Sequence, residues 1–158
     1  MAASEPAGDR SDRFLLDVMC GTLTSYLRMC GYDTAYAGDL GVENDDRLRS
    51  VAREEGRTLV TRDVSLAGRA ESAVLLTAHG TVEQLRELRG AGVRLELAEQ
   101  PSRCGRCNGA VEPVPAGADR PEYAPSADEF DCWRCVECGQ FFWKGSHWKR
   151  VEKTINEL

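Results

Sequence analysis

Five of the chain's seven cysteines fall within residues 104–138. Cys104-Gly-Arg-Cys107-Asn-Gly109 and Cys135-Val-Glu-Cys138-Gly139 are matching C-x-x-C knuckles. Two thiolates three residues apart fold round one ion, and a following glycine permits the positive-φ turn that brings backbone amides to the sulfurs. Two knuckles supply four thiolates, the donor set of a structural zinc site. The expected ligands are Cys104, Cys107, Cys135 and Cys138. A redox pair of the thioredoxin kind is the rival reading, but it uses one C-x-x-C beside a βαβ unit. Cys132 also makes C-x-x-C with Cys135, yet no knuckle glycine follows it. It is left outside the ligand set. His147 could substitute as a ligand, or it could be a packed or hydrogen-bonded histidine.

A second chemistry is written in aspartates. Asp17 closes the apolar run 14–16, Asp63 follows the run 58–61, and Asp45 and Asp46 open a helical stretch. If the runs are parallel strands, these acids share the carboxyl edge, where open α/β folds bind ligands. Converging carboxylates repel and raise one another's pKa. A hard cation, Mg2+ or Mn2+, relieves this with one or two carboxylates and leaves room for a phosphate. Such an ion polarises a phosphodiester and orients a water. Each acid also has a plainer reading: Asp45, Asp46 and Asp63 as helix caps or dipole partners. Asp33 and Asp39 are weaker candidates in loops near that edge, and His79 receives no role. There is no Ser/His/Asp or Cys/His arrangement and no glycine-rich phosphate loop.

Positioning those acids needs a repeated strand–helix frame. Strands are expected at 13–17, 34–37, 58–61, 73–76 and 93–97. A helix is expected after the first strand, where Met19, Leu23, Leu27 and Met29 have helical spacing and Gly31 stops it. Further helices are expected at 44–56, with Leu48, Val51 and Ala52 on one face, at 64–70, and at 82–88. The alternation predicts an α/β fold: a parallel sheet flanked by helices. From residue 100 proline, glycine and cysteine rise and helical periodicity fades. The expected organisation is a tail at 1–12, an α/β domain at 13–100, a metal-stapled unit at 101–150 and a C-terminal tail at 151–158.

The chain has 158 residues and a net charge of −6, so bulk charge does not attract nucleic acid. Residues 101–150 carry seven basic and seven acidic side chains, against 12 and 17 in residues 1–100. Any nucleic-acid contact must therefore be local. Arg62 lies beside the acid edge. Arg134, Lys144, Trp148, Lys149 and Arg150 stand in the cysteine unit, where aromatics alternate with cations as in base-stacking surfaces. The alternative is that those aromatics pack the small unit against the main domain. No apolar stretch reaches membrane-span length, and residues 1–12 lack the apolar core of a secretory signal. Thiolates kept for metal imply a reducing compartment, the cytoplasm.

The segments FLLD (14–17), LRMCGYDT (27–34) and DDRLRSVAREEGRTLVTRD (45–63), the two knuckles and WKGSHW (143–148) resemble the mut-seven C-terminal RNase domain family. The resemblance spans residues 13–150. It implies a PIN-like nuclease core joined to a zinc ribbon, with Asp17, Asp45 and Asp63 matching the family's acids, Asp45 preferred to Asp46. The broader PIN pattern places a further acid on an earlier helix, and residues 20–30 have none. The function implied is a Mg- or Mn-dependent ribonuclease acting on RNA, single-stranded by preference. The alternative is a non-catalytic nucleic-acid-binding or adaptor module with a structural zinc ribbon.

Overall fold

Four short strands and the helices between them build the first part of the molecule. The computed structural model describes residues 13–42 and 44–158; the expected tail at 1–12 lies outside them. β1 (Arg13–Leu16), β2 (Asp33–Tyr36), β3 (Thr58–Thr61) and β4 (Ala73–Leu75) form a parallel sheet in the order β2-β1-β3-β4. Alternation along β1 explains why both faces are covered. Phe14 and Leu16 enter one core with Leu23, Leu27, Leu85 and Leu88, while Leu15 enters the other with Leu48, Val51 and Leu66. Each of these β1 side chains is 0% exposed, and burying one contributes about 1.5–3 kcal/mol.

The helices follow the apolar spacing, with local departures. After β1 the chain forms a 3-10 segment, Val18–Leu23, kinked at Cys20, and then α1, Thr24–Met29. A short α2, Ala37–Leu40, follows β2 directly. α3, Asp45–Glu55, is capped by Asn44 and ends on left-handed Gly56. α4 covers Val64–Arg69 and α5 covers Thr81–Gly90.

The strand expected at 93–97 does not form. Val93 is buried and Leu95 packs against the same core, so the apolar run is real. Its backbone bonds go elsewhere: Tyr32 Oη donates to the Arg94 carbonyl, and the Ala98 amide donates to the Met29 carbonyl. The segment straps the α1–β2 turn instead of adding a fifth strand.

The cysteine unit is a three-stranded antiparallel sheet, β5 (Val111–Pro113), β6 (Trp133–Cys135) and β7 (Phe141–Phe142). Residues 151–156, expected in a tail, continue α6, Ser146–Asn156. Trp148, Val151 and Ile155 are buried along one helical face. Among the described residues no helix is long and apolar enough to cross a membrane.

Candidate functional site

The strand order places the site. From β1 the chain moves outward to β2, while from β3 it moves the other way to β4. The crevice at such a switch point opens beyond the carboxyl ends of the two central strands. Asp17 directly follows β1 and Asp63 follows β3 by two residues.

Thr61 joins them. Its hydroxyl donates to Asp17 Oδ2 at 2.7 Å and accepts the Asp63 amide at 3.0 Å. Asp17 Oδ1 also accepts the Val18 amide, and Asp63 Oδ1 accepts the Leu66 amide as the cap of α4. The capping role expected as the plainer reading of Asp63 is therefore present, and Asp17 stands at the start of the 3-10 segment, on the adjacent amide. A cap uses one lone pair of a carboxylate that has about four, so capping leaves room for a ligand.

Cys20 sits beside Asp17, its amide on the Asp17 carbonyl. Burial, helped by the Asp17 charge, pushes its thiol up to about 11. It is an inert packing thiol at pH 7. Arg62 reaches from the same edge to His79, Nη2 to Nε2 at 2.8 Å. Guanidinium only donates, so His79 Nε2 accepts. Arg62 Nε is buried without a partner among the described residues.

Asp45 and Asp46 are held differently. Arg69 of α4 reaches Asp45 Oδ2 at 3.4 Å and Asp46 Oδ1 at 3.3 Å, and Arg49 reaches Asp46 at 3.2 Å. Asp46 is 77% exposed against 45% for Asp45. Among the described residues the four acids do not form a group of three with ligand atoms within 4.8 Å of one another.

Asp33 is not a loop residue near this edge. It opens β2 and so lies at the opposite, amino end of the sheet. There it accepts Arg57 Nη1 at 2.8 Å and Asn108 Nδ2 at 2.6 Å. Burial alone would raise its pKa; the hydrogen bonds from Asn108 and Arg57 outweigh that and hold it below the usual carboxylate range.

The sulfurs of Cys104, Cys107, Cys135 and Cys138 lie within 4.8 Å of one another. Cys104 to Cys138 is 3.6 Å and Cys107 to Cys135 is 3.5 Å. Tetrahedral zinc with Zn–S near 2.3 Å sets sulfurs about 3.8 Å apart, so the group fits that ion. The amides of Arg106 and Cys107 point at Cys104 Sγ, those of Glu137 and Cys138 at Cys135 Sγ. Burial works against the Cys135 thiolate, but these amides and the adjacent thiols bring its pKa down to about 7. The expected glycine chemistry is half right. Gly139 has φ +80°, but in the first knuckle the positive φ falls on Asn108, at 73°. Gly109 is needed for another reason: a Cβ there would stand 3.0 Å from Cys135 Sγ and 3.2 Å from Cys107 Sγ.

Cys132 lies outside the four, 3.1 Å from Arg120 Nη1, and His147 is exposed on α6. Of the expected RNA contacts, Lys149 and Arg150 are exposed and Arg134 pairs with Glu112. Trp148 is 8% exposed, with Lys144 Nζ 5.4 Å from its ring centre. Lys144 also donates to the Glu99 carbonyl. Thr61, Arg69 and His79 were missed as site neighbours; the Thr-Arg-Asp at the end of β3 was the available signal for Thr61.

With this geometry in place, comparison with known proteins adds one finding. A family model described as Mut7-C RNAse domain matches residues 12–155. The chain belongs to that family. The match covers the sheet, the ribbon and nearly all of α6. No curated protein and no solved structure matches the chain.

Proposed function

We propose that this Mut7-C RNAse domain is a Mg2+- or Mn2+-dependent ribonuclease working at the carboxyl edge of the sheet. The observation that carries the reading is the pairing of Asp17 and Asp63 through Thr61 at the switch point. The donor set fits a hard cation: carboxylates keep lone pairs beyond their caps, and Mg2+ asks for one or two of them plus waters and phosphate. When bound, the ion supplies polarisation of the phosphoryl oxygen and a water of lowered pKa.

The chain's own residues do the positioning. Thr61 fixes Asp17 by a hydrogen bond to one oxygen and holds the Asp63 backbone by another. The first turns of the 3-10 segment and α4 add amides that orient both carboxylates. Arg62 brings a fixed positive charge to an edge rich in acids, where it would meet a phosphate of the substrate. Asp45, at the start of α3, would join through its second oxygen. The ribbon, with zinc on Cys104, Cys107, Cys135 and Cys138, braces the opposite end, and a reducing cytoplasm suits its thiols.

The adaptor reading has two observations in its favour. Arg69 already pairs with Asp45 and Asp46, and α1 brings no further acid. Incubation of the zinc-loaded protein with labelled single-stranded RNA, with and without Mn2+, decides. Metal-dependent cleavage lost in Asp17→Asn supports the nuclease. Binding without cleavage at any metal concentration favours the adaptor.

A further inference from the structure

A groove of about 450 Å3 lies between α3 and α4, lined by none of the cationic residues expected in the ribbon. Four arginines and only two acids line it, in a chain of net charge −6. Arg49 and Arg53 stand one turn apart on α3, so they share a face with Ser50 between them. Arg69 faces them from α4, its Nη atoms on Asp45 and Asp46 and its carbonyl accepting Arg49 Nε at 3.2 Å. Arg57, the fourth, is turned inward to Asp33 and Glu55 and belongs to the frame. Arg53 is exposed and has no ion pair among the described residues.

We propose that this groove carries the phosphate backbone of an RNA strand away from the acid edge, with Arg49, Arg53 and Arg69 as its contacts. The inference rests on the nuclease reading and adds the substrate's path. Three observations converge. The groove begins at Asp46, at the same end of α3 as Asp45. α3 has 11 residues and is about 16 Å long, enough to run beside more than one phosphate of a strand. The ion pairs of Arg49 and Arg69 with Asp46 are exposed, so they are weak and exchange readily for a phosphate. Guanidinium matches phosphate with two parallel N–H donors, which a lysine surface would not. Here an acidic protein holds an acidic polymer through one locally cationic channel.

The test uses the full, zinc-loaded chain. Affinity for labelled single-stranded RNA is measured over a range of salt without added Mg2+ or Mn2+, and cleavage is measured separately with Mn2+. The double variant Arg49→Ala/Arg53→Ala should bind several-fold more weakly, and its log–log salt slope should fall by about 1.4, about 0.7 per lost contact. Arg53→Glu should bind still more weakly. Arg89→Ala, an exposed arginine on α5, should leave both unchanged. Arg53 is exposed and Arg49 half-buried on exposed partners, and equal melting temperatures verify that the variants fold. Wild-type affinity and slope in the double variant, with cleavage intact, would overturn the groove alone. An intact protein that neither binds nor cuts RNA would overturn the nuclease reading and the groove with it.

Discussion

The two ends of the parallel sheet treat their carboxylates in opposite ways. At the amino end Asp33 is enclosed: Arg57 and Asn108 share one oxygen, and Arg13 and Arg103 approach the other at 3.4 and 3.9 Å. At the carboxyl end the Asp17 carboxylate receives one amide and the hydroxyl of Thr61, and the Asp63 carboxylate one amide. Among the described residues neither has an ion pair. A carboxylate surrounded by guanidinium and amide donors has spent its acceptor capacity on the fold. One held by single neutral donors is oriented but unspent. By this measure Asp33 is structural, Asp17 and Asp63 are available to a ligand, and Asp45 and Asp46 fall between, on exposed arginines.

The amino end also receives the ribbon. Asn108, in the first knuckle, bonds both Asp33 and the Thr34 amide, and buried Arg28 reaches the Gly105 carbonyl at 2.9 Å. The largest expected effect therefore comes from the metal. Structural zinc contributes on the order of 10–16 kcal/mol of apparent folding energy in small units. One zinc per chain should be found by elemental analysis. Cys104→Ser and Cys138→Ser should lose it, Cys132→Ser should keep it, and the ribbon amides should exchange rapidly once it is gone. The sheet amides should stay protected, because the two cores on its faces contain no metal ligand. Loss of protection throughout the sheet would show that the two parts fold as one.

Next in size is chemistry at the carboxyl end. Asp17→Asn and Asp63→Asn should each lower cleavage by about 100-fold or more, the order of effect of removing one preorganised electrostatic group. Neither should lower the melting temperature by more than a few degrees, because an amide side chain still accepts from Thr61 or Leu66. If cleavage survives in both, Asp17 and Asp63 are caps and nothing more.

The sequence made some of this legible and not the rest, for definable reasons. Leu48, Val51 and Ala52 gave α3 by spacing, and the apolar run 58–61 gave β3, because burial there follows local periodicity. The four cysteines were legible because a metal site needs fixed chemistry at fixed spacing. Asp33 was misplaced because its partners Arg57, Arg103 and Asn108 come from three distant segments. The run 93–97 misled because an apolar strap and a buried strand share one pattern. Residues 151–156 read as a tail because the apolar face of α6 has only Val151 and Ile155 beyond Trp148, too few for periodicity to stand out. Arg53 carries no signal in the sequence, because a solvated helix face and a groove wall have the same polar pattern.

The amino end should answer mutation in stability, not rate. Arg57 is 8% exposed and Asp33 18%, so Asp33→Ala removes one of the two carboxylates on Arg57, leaving Glu55, and strands the Asn108 Nδ2 that docks the ribbon. The expected cost is about 2 kcal/mol, below the 3–5 of a fully buried pair because solvent reaches part of this one. Cleavage per folded molecule should not change. A rate loss at constant stability would move Asp33 into the active site and dissolve the contrast between the two ends.

The smallest effect is the most specific one. Asp33 has a folded pKa below its unfolded value of about 3.9. A depressed carboxylate stabilises the fold fully above the unfolded pKa, and that contribution is lost as pH falls through the folded value. The melting temperature should therefore be insensitive to Asp33 from neutrality down to about pH 5 and fall with a steeper slope below about pH 4. Asp33→Asn should start lower and lose part of that slope, because it has no proton to take up. Thermal melts of the two proteins from pH 3 to pH 7 measure this directly. An acid limb as steep in Asp33→Asn as in the unaltered protein would show that Asp33 does not couple the fold to pH, and the amino end would lose its structural assignment.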